Sequence, residues 1–125
     1  MYEVTVTREF CSAHFLRDYV GKCANLHGHN WKVAVSFRGS ETAENGILID
    51  FLVIGRALDT LLEQLDHGVI NDIPPFDTES PTSERLAQWF FSEIRRCLPP
   101  DAPPPHRVTV WETPDASASY WDENA

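Results

Sequence analysis

The stretch His27-Gly28-His29-Asn30-Trp31-Lys32-Val33-Ala34-Val35-Ser36-Phe37 alternates polar and apolar residues from Trp31 onward, which is the pattern of a half-buried β-strand. On a strand, side chains at i and i+2 leave the same face, so His27 and His29 project together while Gly28 faces the other way. Two imidazoles so placed can converge on one metal ion. Neutral imidazole is the usual nitrogen ligand of zinc, and a catalytic site with three protein donors keeps a fourth position for water or substrate. His14 is the candidate for the third donor, because it ends a second apparent strand running through Tyr2, Val4, Val6 and Phe10. The two strands become neighbours joined by the loop 16–25. In that loop Cys23 is either a fourth zinc ligand closing a structural site or a reactive thiol beside an open catalytic one. Spacing leaves both readings open, and histidines that merely hydrogen-bond or face solvent are the competing explanation.

Farther along, Asn45-Gly46 marks a turn and Asp50 is placed to cap a helix running to about Leu65. Ile54, Leu58, Leu61, Leu62 and Leu65 give that helix one apolar stripe. Asp66 and His67 follow at its end, before Gly68. Such a pair suits proton transfer, with the carboxylate orienting the imidazole, although adjacent helical residues seldom bond side chain to side chain and a plain surface role competes. A proline-containing loop at 71–80 precedes Ser80-Pro81, read as N-cap and first residue of a second helix whose buried face is Leu86, Phe90 and Ile94 with Cys97 or Leu98. Pro99 and Pro100 stop it. Residues 106–112 alternate as a third strand on which Val108 and Val110 share a face with Glu112, and a short fourth strand lies near 117–121. The expected architecture is a single α+β domain over residues 1–125, in the order ββααββ, with a four-stranded antiparallel sheet and both helices on one face.

Composition excludes several classes. The chain has 125 residues, 42% hydrophobic and 23% charged, which is ordinary for one folded domain. Its net charge of −9 argues against a nucleic-acid binder, which presents a basic face to phosphates. A small anionic ligand would need a local cationic patch, for which Arg17, Lys22 and Lys32 are the nearest candidates. Three cysteines, Cys11, Cys23 and Cys97, are an odd number without framework spacing and fit a reducing compartment. Residues 1–10 lack the apolar core of a signal peptide and no stretch reaches membrane-spanning length, so a cytoplasmic protein with no membrane partner is expected.

Phe10-Cys-Ser-Ala-His14, then Cys23 with His27-Gly28-His29, then Leu65-Asp66-His67, Pro81-Thr82-Ser83-Glu84 and Trp111-Glu112-Thr113, resemble the motifs of the 6-pyruvoyltetrahydropterin synthase superfamily, and most closely those of its 6-carboxytetrahydropterin synthase branch in queuosine biosynthesis. The resemblance spans nearly the whole chain in order. It implies a tunnelling fold, in which the sheets of several subunits close into a barrel with helices outside, and a hexamer of two trimers with interfacial active sites. It further implies zinc (Zn2+) held by His14, His27 and His29, Cys23 as proton-transfer base, and Asp66 and His67 as a second acid/base pair. Glu112 would anchor a pterin ring, with Thr82 and Ser83 lining its pocket. The implied reaction converts 7,8-dihydroneopterin triphosphate to 6-carboxy-5,6,7,8-tetrahydropterin, acetaldehyde and triphosphate; alternatives are the pyruvoyl-forming activity without carbon–carbon cleavage, or a non-catalytic pterin- or zinc-binding oligomer. Three positions depart from the pattern: Gly68 where many relatives have a second histidine, Trp111 where an arginine or lysine is frequent, and Phe15 where arginine is common.

Overall fold

The computed structural model describes residues 1–123. Two long strands, β1 (Tyr2–His14) and β2 (His27–Gly39), form an antiparallel hairpin whose register pairs His14 with His27 and Phe10 with Trp31. Helix α1 (Phe51–Leu62) follows, then a two-residue strand β3 (Gly68–Val69), helix α2 (Ser83–Cys97), and the hairpin of β4 (Arg107–Thr113) and β5 (Ala116–Tyr120). The sheet order is β3-β1-β2-β4-β5. Among the described residues no helix is long and apolar enough to cross a membrane.

The alternation read from the sequence decides which face is covered. Val6 and Phe10 of β1, Trp31, Val33, Val35 and Phe37 of β2, and Val108 and Val110 of β4 pack in one core with the buried stripes of both helices. Phe10 stacks on Trp31 at 5.9 Å between ring centroids, and the indole N–H of Trp31 donates to the Ser12 carbonyl at 3.0 Å. Each such large side chain, fully buried, contributes about 1.5–3 kcal/mol. The opposite face, with Thr5, Thr7, Glu9 and Cys11 of β1 beside Asn30 and Lys32 of β2, is exposed at these positions and, among the described residues, carries no helix.

Three expectations are corrected. The sheet has five strands and is mixed, not four and antiparallel, because β3 adds in parallel to the edge of β1 through Ser12–Gly68 and Ala13–Val69. Two residues are too few to show a period. Helix α1 ends at Leu62 rather than Leu65, and its capping by Asp50, which accepts from the Leu52 N–H, is as expected. Helix α2 begins at Ser83 with Thr82 as N-cap, its hydroxyl accepting from the Arg85 N–H. Ser80 is drawn away from capping, since its hydroxyl accepts from the Arg17 N–H at 2.7 Å.

Two side chains of the connections fasten the end of β1. Buried Asn71 accepts from the Phe15 N–H at 2.9 Å and donates to the Phe15 carbonyl at 3.1 Å. The Arg17 guanidinium donates to the carbonyls of Phe76, Asp77 and Glu79. These bonds tie the loop before α2 to the residues that leave His14.

Candidate metal centre and acid/base pair

His14 closes β1 and His27 opens β2 directly opposite, while His29 follows two residues later on the same face. A cross-strand pair and its diagonal neighbour are within reach of one another. The rings accordingly cluster, with centroid separations of 4.6 Å (His14–His27), 5.3 Å (His14–His29) and 4.8 Å (His27–His29). Glu112 from β4 completes the group, and one donor atom from each of the four lies within 4.8 Å of the others.

Carbonyl oxygens set the chemistry of two of these rings. The Pro81 carbonyl lies 2.9 Å from His14 Nδ1, and the Asn25 carbonyl lies 2.6 Å from His27 Nδ1. A carbonyl only accepts, so each Nδ1 carries the hydrogen and each Nε2 presents its lone pair, the tautomer that suits a metal ligand. His14 Nε2 and His29 Nε2 are buried without a hydrogen-bond partner. Glu112 Oε1 stands only 2.9 Å and 3.2 Å from them, close enough for an ion pair but outside hydrogen-bond geometry. Buried orphan nitrogens converging with a carboxylate are what an N/O metal site requires, and the donor set fits zinc.

Burial is the main reason His14 and His29 sit below the ordinary histidine pKa, an effect that the neighbouring Glu112 partly opposes at both. Both are therefore neutral, and able to ligate, near pH 7. The same shift makes the metal-free fold acid-sensitive. An unfolded chain binds protons at these positions below about pH 6.5, whereas the fold refuses them until lower pH, so stability is complete above that value and is lost as pH falls toward the depressed folded values. Thermal unfolding of metal-free protein should show a lower midpoint at pH 5.5 than at pH 7.5, with a smaller difference for His14→Gln.

Asp66 and His67 lie at the edge of β1. His67 takes a left-handed backbone conformation, φ 59°, just after the turn that ends α1. This departure from helical geometry is what lets adjacent side chains meet: His67 Nδ1 is 2.9 Å from Asp66 Oδ2. The other Asp66 oxygen accepts from the Cys11 N–H at 2.9 Å, and the His67 N–H donates to the Cys11 carbonyl at 2.6 Å. The Cys11 N–H, and after it the His67 ring, hold the Asp66 carboxyl below its usual range. The imidazole is largely exposed.

A cavity of about 800 Å³ is lined by His29 and Glu112 as well as by Asp66 and His67, with Lys32 and Trp111 among its other walls. Cys23 is elsewhere. It sits in the 3-10 turn Lys22–Ala24, its thiol free and its carbonyl accepting from the Leu16 N–H, outside both the four-donor group and the cavity lining. The fourth donor brought to the histidines is Glu112. Thr82 and Ser83 start α2 and do not line this cavity either. Of the three cations considered, Arg17 is committed to backbone carbonyls, Lys22 is exposed, and Lys32 lines the cavity with its ammonium 4.8 Å from the Trp111 ring centroid. Sequence reasoning missed the supports: Pro81, Asn25 and Asn71 act through backbone groups or a buried amide that no motif advertises.

Comparison with known proteins adds a second line. Residues 3–123 match the family described as 6-pyruvoyl tetrahydropterin synthase. The chain is 37% identical over 117 residues to the 6-carboxy-5,6,7,8-tetrahydropterin synthase of Synechocystis sp., covering 90% of this chain and 87% of that protein. It is 31% identical over 103 residues to the dihydroneopterin monophosphate aldolase of Pyrococcus furiosus, covering 82% of each. The structure of Caenorhabditis elegans 6-pyruvoyl tetrahydropterin synthase shares its fold with a TM-score of 0.83 at 28% identity, covering 98% of both chains.

Proposed function

The chain belongs to the 6-pyruvoyl tetrahydropterin synthase family, and from that membership we propose that it is a zinc-dependent 6-carboxy-5,6,7,8-tetrahydropterin synthase. It would take 7,8-dihydroneopterin triphosphate and water to the carboxytetrahydropterin, acetaldehyde and triphosphate, a lyase step toward queuosine in the cytoplasm. The observation that carries the reading is the convergence of His14, His27 and His29 beside a cavity that also holds an Asp-His pair. The relatives' names support a pterin product.

In this scheme His14, His27 and His29 hold the ion, which when bound supplies a Lewis acid that eases deprotonation of side-chain hydroxyls. Cys23 takes a carbon-bound proton as thiolate. Asp66 fixes the ring plane of His67 from one side while the Cys11 backbone fixes Asp66, leaving Nε2 of His67 to exchange protons. Glu112, with two oxygens, suits the guanidine-like edge of a pterin, and Thr82 and Ser83 would line the pterin pocket. Because Cys23 and the Asp66–His67 pair stand apart within one chain, the complete site is proposed to form between subunits of a barrel-forming hexamer. Closure would also cover the bare polar face and the sheet edges.

The test is product analysis after incubating zinc-loaded protein with 7,8-dihydroneopterin triphosphate. Carboxytetrahydropterin with acetaldehyde supports the synthase, and a pyruvoyl product without acetaldehyde replaces it with the sister activity. The aldolase relative, together with the commitment of Arg17 to carbonyls, favours one second reading. Aldol cleavage would leave a hydroxymethyl pterin and release no inorganic triphosphate.

A further inference from the structure

We infer that Glu112 is the fourth donor of the resting metal site and that a ligand entering the cavity takes it off the metal. The second half of this inference rests on the pterin reading; the first half does not. In β4 the ladder to β5 pairs Trp111 with Ser117 and then Thr113 with Ala116, so Glu112 is the extra residue of a β-bulge. Bulges re-aim a side chain and free it from the ladder. Here the carboxylate reaches across to the ends of β1 and β2, where Oε1 lies 2.9 Å from His14 Nε2 and 3.2 Å from His29 Nε2.

Those separations have a chemical meaning. His14 Nδ1 is committed to the Pro81 carbonyl, so its Nε2 keeps a lone pair beside a carboxylate oxygen that also carries lone pairs. Two such atoms repel unless a cation lies between them. Four donors on a tetrahedral zinc at about 2.0–2.1 Å stand about 3.3 Å from one another, close to the two distances observed. The carboxylate also has a second place to go. Its side chain is 31% exposed and lines the cavity as well as the metal group, whereas the His14 side chain is 1% exposed. Glu112 can therefore exchange metal for ligand without unpacking the core, which His14 cannot.

Cobalt(II)-loaded protein and its Glu112→Gln variant, which keeps shape but donates weakly, test this. We expect the variant to bind cobalt at least about tenfold more weakly, since even partners outside the ligand set cost that much, and its visible spectrum to differ from the parent's. Adding neopterin to the parent should move its spectrum toward that of the variant, and Glu112→Asp should restore part of the lost affinity. If Glu112→Gln matches the parent in affinity and spectrum, Glu112 is no ligand and the inference fails while the pterin reading stands. Neopterin that binds by calorimetry yet leaves the parent spectrum unchanged overturns the exchange. Neopterin that does not bind the cobalt-loaded parent overturns the pterin reading and the exchange with it.

Discussion

Substituting alanine for His27 should leave a folded protein that contains no tightly bound metal and turns over at least about a thousandfold more slowly. Among the three histidines it is the one whose loss says most. His14 is fully buried and bonded to the chain just before α2, so its removal would disturb packing as well as ligation. His27 is only partly buried, and its second nitrogen bonds locally to the Asn25 carbonyl. Its truncation deletes a donor at small structural cost. A bound ion supplies several kcal/mol of charge stabilisation, and each 1.36 kcal/mol is tenfold in rate, which sets the expected loss. Metal content by plasma mass spectrometry and turnover should fall together. His106→Ala, outside the four-donor group, should retain both. A His27→Ala protein that keeps one tightly bound metal per chain would refute the three-histidine site.

Replacing Cys23 by alanine is expected to separate the two properties, lowering turnover by about 10²–10⁴, the range for a positioned acid/base, while metal content is unchanged. The separation follows from the position of Cys23 in the turn before β2, outside the group that His14, His27, His29 and Glu112 form. Metal content and turnover measured on one preparation decide the matter. If the metal leaves with the thiol, Cys23 is a structural ligand and the proton-transfer role is withdrawn.

The parts of the fold visible in the sequence were those governed by a repeating period. Alternation along β1, β2 and β4 and the stripes of α1 and α2 extend over enough residues to be read, and the Asp50 cap is a local side-chain-to-backbone bond. What could not be read depends on partners distant in the chain. Strand β3 exists because Gly68 and Val69 meet Ser12 and Ala13, and the choice of Thr82 over Ser80 as cap depends on Arg17 claiming the Ser80 hydroxyl. The candidate site divides the same way. Three histidines announce themselves through strand parity, and Asp66–His67 through adjacency. The approach of Glu112 to the histidines requires β4 to lie beside β2 with a bulge at its end, which is a tertiary fact.

The peptide unit joining Pro81 to Thr82 serves two masters: its carbonyl orients His14, and the next side chain caps α2. The setting of the His14 ring and the docking of the helix are thus mechanically linked across 67 positions of sequence. A change in the proline-rich segment ahead of α2, far from any donor atom, would register as altered metal retention before it registered as unfolding. Screens that score only overall stability would pass over such positions.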